Sequence, residues 1–457
     1  MREKSRRSAG ATRRGFLTRT AGLAVAAGSA LGADALTPLA AKTTDPTASA
    51  PPSPVEPFWG KNQGGILTAP QGHTYFAALD LTTEKRDDLV QLFKAWTKAA
   101  ARLAQGLPIQ DFEKIEVTYN YDTTATTTTV TTSEDPAPAP VSLSDTGEAE
   151  GLSPARLTVT FGFGAGVFQK DGKDRYGLAK HRPEALIDLP HFVGDQLVPE
   201  HTGGDLSVQA CADDPQVAFH AVRQLVRLAD GIAQVRWTQI GFMPNFGNGQ
   251  TPRNLMGFKD GTNNPSTQDT AAMEKFVWVG GEGPDWMRDG SYLVVRRIRV
   301  ALEHWDRSKV EFQEQTFGRR KSTGAPLGGK SESEALDLDA IDKDGSPRIP
   351  ENAHVRLAAA ATNNGAQLLR RPFSYNDGVN FTAERWPPWR QGLEYDAGLF
   401  FICYQRDPRT GFVKIFENMA KFDMLNQFVT HVGGGLFAVP GGVAHGEFIG
   451  QRLFEAA

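Results

Sequence analysis

The chain has 457 residues, of which 40% are hydrophobic and 22% charged, with 47 Gly, 28 Pro and a formal charge of -4. This is the composition of a loop-rich globular protein, long enough for two packed units or one duplicated unit, and it excludes a fibrous or wholly disordered chain. Two cysteines, Cys211 and Cys403, are too few for a disulfide framework or a cysteine-rich metal cage.

At the N-terminus Arg13-Arg14 precedes Gly15, Phe16 and Leu17, and a run of small apolar residues follows from Ala21 to Ala33. The run is too short to span a membrane. Behind its basic leader it resembles a twin-arginine export signal, so residues 1–41 are expected to be a signal peptide read by the twin-arginine export machinery. That route implies a folded, cofactor-bearing cargo with a secreted or envelope-associated destination. Residues 1–41 also hold seven basic and two acidic side chains, so the remainder carries a formal charge of -9, which argues against a nucleic-acid partner. Residues 42–57, rich in Pro, Ser, Thr and Ala, read as a disordered tether.

HTYFAALDL, residues 73–81, alternates as a strand, and Thr82 or Thr83 then caps a helix carrying Leu89, Leu92, Phe93, Trp96, Ala100 and Leu103 on one face. A Thr-rich, then acidic, stretch at 123–151 reads as a surface insertion. Strands are expected at 156–164 and 205–213, Pro215 opens a second helix, and a fourth strand falls at 235–242. The order β-α-β-β-α-β is that of a ferredoxin-like unit.

A comparable series follows: a strand at 291–302, a helix from Val310 to Phe317, a long irregular stretch, a strand at 398–407, a helix from Val413 to Val429 and a strand at 435–440. The expected fold is therefore α+β, with two ferredoxin-like halves, 58–245 and 246–457, each an antiparallel sheet with peripheral helices. A cleft between the two sheets is the natural place for a cofactor.

Two strings carry the chemistry. In NLMGFKDGTNNP, residues 254–265, Gly257 and Gly261 flank Asp260, so a fixed turn aims one carboxylate while the backbone can approach a flat ligand. In residues 351–378 a single His354 stands ahead of Arg370-Arg371. Imidazole is a common axial ligand of haem iron, whereas the histidines of this chain show no HxH or HExxH spacing to support zinc. Neighbours on a strand point to opposite faces, so only one of the two arginines should face a pocket, and Arg370 is the expected one.

Together these strings resemble the dye-decolourising peroxidase family, from PFWGKNQGGI at 57–66 to LFAVPGG at 436–442. The family's GxxDG motif stands as Gly257-Phe258-Lys259-Asp260-Gly261. Its proximal histidine segment stands as His354-Val355-Arg356-Leu357, and its distal arginine as Arg370, ahead of Pro372-Phe373-Ser374-Tyr375. The resemblance implies haem b in the C-terminal half, held noncovalently because no Cys-x-x-Cys-His run is present. It implies His354 on the iron, with Asp260 and Arg370 acting on hydrogen peroxide by heterolytic O–O cleavage. Gly261, Thr262, Asn263, Arg370 and Phe401 become expected haem contacts, and Asp396 a candidate for the carboxylate behind His354.

The reducing substrate implied is a dye or another bulky aromatic or phenolic donor, reached through surface Trp or Tyr residues. Trp386, Trp389, Tyr375 and Tyr395 lie near the motifs. Alternatives are deferrochelatase-type removal of iron from haem, and a noncatalytic haem carrier, which needs neither the acid nor the cation. The chain departs from the family pattern at Ala358 to Ala361, where an Asn and an Arg are expected. A homo-oligomer is compatible with the chain.

Overall fold

A computed structural model describes residues 54–110, 145–244, 250–383 and 391–456. The expected signal peptide, tether residues 42–53, residues 123–144 of the insertion, Trp386 and Trp389 lie outside the described residues. The first series runs β1 (His73–Leu81), α1 (Arg86–Leu103), β2 (Thr158–Phe163), β3 (Leu206–Ala212), α2 (Pro215–Leu228) and β4 (Ala233–Phe242). After α3 (Thr270–Phe276) come β5 (Ser291–Val300), α4 (Leu302–Trp305), α5 (Val310–Phe317) and α6 (His354–Ala358). The chain then forms β6 (Leu369–Arg370), β7 (Phe373–Ala383), β8 (Gln391–Gln405), α7 (Phe412–Phe422), β9 (Val429–Val439) and α8 (Gln451–Ala456).

Local chemistry accounts for the helices that matter most. On α1 the apolar residues recur at helical spacing and all of Leu89, Phe93, Trp96, Ala100 and Leu103 are buried, while Asp87 and Asp88 in the first turn complement the helix dipole. α2 starts where Asp214 accepts from the Gln216 and Val217 backbone N–H groups and Pro215 supplies a preset φ.

Every strand pairing within the sheet is antiparallel, and the order contains β4-β1-β3-β2 and β9-β5-β8-β7. The two runs are not separate sheets. Phe163 of β2 pairs with Ala438 of β9, and Phe242 of β4 with Ser374 of β7, so eight strands close into a ring. β6 continues the edge of β7 along β8, interrupted at Pro372, which has no N–H to give.

The ring's interior is a packed core drawn from both halves, including Phe76, Trp237, Tyr375, Phe400, Tyr404 and Phe437. The expected cofactor cleft between two sheets is thus corrected, because aromatic side chains fill that space. β8 shows where open space lies instead: Phe400, Ile402 and Tyr404 point into the core, while Leu399 and Phe401 line a cavity on the outer face. On the first half the outer face is covered by α1, with Trp96 stacked on Phe161 at 5.4 Å and Phe93 against Phe163 at 4.7 Å.

Several sequence expectations need revision: α1 starts at Arg86 with Lys85, not Thr82 or Thr83, at its cap, and β9 starts at Val429, before the expected 435. The long irregular stretch holds α6, β6 and β7, and β7 carries a bulge between Asn376 and Val379. The helix expected to reach Val429 ends at Phe422, because the Asp423 side chain accepts from Leu425 N and starts a 3-10 turn before β9. β8 begins at Gln391, before the expected 398. Cys211 and Cys403 are free and buried, and burial pushes both thiols up.

Candidate active site

The cavity on the outer face has a volume of about 610 Å³, within the range of small-molecule and cofactor pockets. β5 and β8 supply its floor through Ile298, Val300, Leu399 and Phe401, and α7 one wall through Phe416 and Met419. The other walls come from the loop around Asp260 and from α6 with Ala358, Ala359 and Ala360.

The loop is fixed by its own backbone chemistry. Asn254 Oδ1 accepts from Met256 N and Phe258 N, and Asp260 N donates to Pro252 O at 2.9 Å. Gly257 at φ +85° and Gly261 at φ +121° occupy conformations that side chains disfavour. Phe258 stacks on Phe317 at 4.0 Å and anchors the turn. Asn264, which the sequence did not single out, docks the loop to β6: its Nδ2 donates to Arg370 O at 2.7 Å and its Oδ1 accepts from Arg370 N at 3.1 Å.

The same docking brings Arg370 Nη1 to 2.9 Å from Asp260 Oδ1. Arg371 points the other way, with its guanidinium donating to Gln71 Oε1 at 2.9 Å and to Thr68 O. Of the two neighbouring arginines, only Arg370 lines the cavity.

His354 begins α6 and also lines the cavity. Its Nδ1 lies 2.6 Å from Asp423 Oδ2, and the other Asp423 oxygen accepts from Leu425 N at 2.8 Å. A carboxylate only accepts, so Nδ1 carries a proton, and in the neutral ring Nε2 is the nitrogen with the lone pair. Asp396 does not take this place. It pairs with Arg297 at 2.8 Å and accepts from Asn380 at 3.1 Å, at the other end of β8's neighbourhood. Asp423 escaped the sequence reading because it lies 69 residues from His354 and looks like part of a helix.

Gly261, Thr262, Asn263 and Phe401 all line the cavity. Thr262 is committed to Glu332, donating to its carboxylate at 3.0 Å, and Asn263 Oδ1 accepts from Arg319 at 3.2 Å. Tyr375 packs in the core, fully buried against Arg297 at 4.5 Å, and burial pushes its phenol up. Tyr395 is half exposed.

These residues fit a tetrapyrrole. The cavity is large, its floor is apolar, an imidazole presents an unpartnered nitrogen to it, and an acid–guanidinium pair shares the same space.

Comparison with known proteins agrees over nearly the whole fold. Residues 63–243 match the Dyp-type peroxidase N-terminal family and residues 251–444 the Dyp-type peroxidase C-terminal family. A dye-decolorizing peroxidase of Thermobifida fusca (strain YX) is 36% identical, with all of both chains covered. A deferrochelatase of Escherichia coli (strain K12) is 32% identical over 88% of this chain and 87% of its own. The crystal structure of a DyP-type peroxidase from Streptomyces coelicolor superposes with a TM-score of 0.74 at 40% identity, covering 88% of this chain and 98% of that one. With both family halves matched in order and full-length relatives above 30% identity, the chain belongs to the Dyp-type peroxidases, a family of haem-dependent oxidoreductases.

Proposed function

We propose that this chain is a haem b peroxidase that uses hydrogen peroxide to oxidise dyes or other bulky aromatic or phenolic donors. The observation that carries this reading is one cavity shared by His354, fixed through Asp423, and by the Asp260–Arg370 pair. His354 Nε2 is the atom that would hold the iron, and the Asp423 carboxylate at Nδ1 makes that nitrogen the stronger donor. Haem, when bound, supplies the iron at which the O–O bond of peroxide is cleaved.

The remaining steps belong to the chain's own side chains. Asp260 takes the proton from one peroxide oxygen and delivers it to the departing one, directly or through a water. Arg370 is a permanent cation, so it stabilises the charge developing on the departing oxygen. Their 2.9 Å contact also orients the carboxylate for the transfer. Gly261 and Asn263 serve the cofactor's edge and Phe401 its face, while the committed hydroxyl of Thr262 limits that residue to packing.

The two halves, 58–245 and 246–457, are ferredoxin-like units with haem in the second. The strand orders support this: counted from β5, the run β9-β5-β8-β7 repeats the four-one-three-two order of β4-β1-β3-β2. Residues 1–41 act as a twin-arginine signal and 42–57 as a tether, which makes the protein secreted or envelope-associated; Arg13-Arg14 and the short apolar run support that assignment.

A second reading rests on the deferrochelatase relatives, since removing iron from haem needs the same cavity. One set of spectra separates the two. The purified, haem-replete protein is expected to show a Soret band that changes with one equivalent of peroxide, and His354→Ala to lose the axial-ligand signature. A colourless protein, or an unaltered signature in His354→Ala, ends the peroxidase reading. Free protoporphyrin after incubation with haem and a reductant, without peroxide turnover, supports the second.

A further inference from the structure

Asp260 lies on the outgoing arm of a short hairpin, in which Arg253 pairs with Lys259 and Asp260 N donates to Pro252 O at 2.9 Å. That hairpin is gripped from outside by one carboxylate on the loop that follows α5. Glu332 Oε1 accepts from the Thr262 hydroxyl at 3.0 Å, Oε2 is ion-paired with Lys259, and the Thr251 side chain bonds the same group. The three gripped residues bracket Asp260, one on the incoming arm and two on the outgoing one.

Other contacts fix the grip. Arg319, only 5% exposed, donates from Nη1 to Glu332 O at 3.0 Å and to Gly324 O at 2.7 Å, which holds the backbone carrying the carboxylate. Gly324 passes close by the pair at φ +79°, where a Cβ would stand 2.7 Å from Lys259 Cδ and 3.3 Å from Glu332 Cγ. Burial by itself raises the Glu332 carboxyl, yet the bonds from Lys259, Thr251 and Thr262 outweigh it and hold the group below its ordinary 4.5.

The arrangement matters to the chemistry because of charge. Lys259 adjoins Asp260 in sequence, and both residues line the cavity. Asp260 already has one cation, Arg370 at 2.9 Å. A second would occupy carboxylate lone pairs and leave a poorer proton acceptor. Glu332 gives Lys259 a different partner, and the nearby Glu334 is already engaged by Lys330 N and Ser331 N at 3.0 and 3.1 Å. Resting on the peroxidase reading above, we propose that Glu332 is a positioning residue: by holding Lys259, it leaves Asp260 to Arg370 and to peroxide.

The test mixes haem-loaded enzyme with hydrogen peroxide and follows the haem absorbance within a single turnover, beside haem uptake by titration and the rate of guaiacol oxidation in the step that follows. Glu332→Gln is expected to slow the peroxide step about tenfold, with haem uptake and the guaiacol step unchanged. Lys259→Met should not slow it, and Lys259→Met combined with Glu332→Gln should recover the unmodified rate, because the competing charge is gone. In an Asp260→Asn background Glu332→Gln should add nothing, since it acts only through that carboxylate.

A peroxide step in Glu332→Gln as fast as in the unmodified chain, a loss that the double variant does not recover, or the same loss in the Asp260→Asn background overturns the proposal and leaves the peroxidase reading standing. An equal decline in all three measurements makes Glu332 a support of the fold alone and overturns it as well. No absorbance change with peroxide in the unmodified, haem-loaded chain overturns both readings. If Glu332→Gln does not fold, Lys259→Met decides: a slowed peroxide step there counts against the proposal, and a rate at or above the unmodified one supports it.

Discussion

The two outer faces of one closed sheet are covered in different ways. Over the first half, α1 lays Phe93 and Trp96 directly on Phe161 and Phe163, and the cavity beside Leu103 and Val217 measures about 90 Å³. Over the second half, α7 meets β8 at its first turn, with Phe412 5.9 Å from Phe401, and leaves about 610 Å³ lined by Phe416, Met419, Leu399 and Phe401 among others. Strand order is the same in both halves, so topology did not make the site. What makes it is the covering: α1 sets its rings directly on the strands of one face, while on the other the rings of Phe401, Phe412 and Phe416, the alanines of α6 and the Asp260 loop surround an open space.

The largest expected effect breaks the comparison from the closed side. Trp96→Ala removes a fully buried ring and its 2.7 Å hydrogen bond to Leu225 O, and should cost about 3–5 kcal/mol in denaturant unfolding while leaving the haem spectrum of the folded fraction unchanged. A shifted Soret band would mean the two faces are not independent. On the open side, Arg370→Leu should lower kcat with peroxide by about 10²–10³ with little change in stability; steady-state kinetics that match the unmodified enzyme would remove Arg370 from the chemistry.

Refilling the open face is the sharper test. Ala359→Phe introduces a ring into the cavity wall and should weaken haem uptake by roughly tenfold, a little over 1 kcal/mol, as read by titration. Unchanged uptake would show that this wall is not in contact with the cofactor.

The smallest effect concerns His431, another lining residue. Burial first, and the Arg296 charge next, hold its imidazole well below its ordinary value of 6.5. The native form is neutral, so as pH falls below about 6.5 the unfolded chain takes up the proton first, and stability is lost from there downward. His431→Phe should flatten that acid slope by on the order of 2 °C in Tm, measured by thermal unfolding between about pH 6.5 and 5. An identical slope would place the acid sensitivity elsewhere.

Much of the fold is legible in sequence where periodicity is strong. β1 was read at its observed bounds, α5 likewise, and Pro215 marks the start of α2 as expected. Reading failed where local signals point away from the tertiary outcome. The segment of β7 reads as irregular because Asn376, Asp377 and Gly378 interrupt its alternation, yet pairing with β8 makes it a long bulged strand. In the site, Asp260 and His354 stand in recognisable strings, and strand alternation separates Arg370 from Arg371. Asp423 and Asn264 carry no local signal, because each acquires its role from a partner far away in the chain. Closure of the ring is equally hidden, since each seam rests on a single residue pair.

Sulfur placement bears on how long such a protein could survive its own oxidant. Thiolate is the reactive form of cysteine, and Cys211 and Cys403, at 1% and 0% exposure, are held as protonated, inaccessible thiols. Met256 and Met419, by contrast, form part of the cavity wall. Wear would therefore begin as sulfoxide oxygens appearing inside an apolar chamber, gradually making it wetter, while the cysteines buried in the framework are spared.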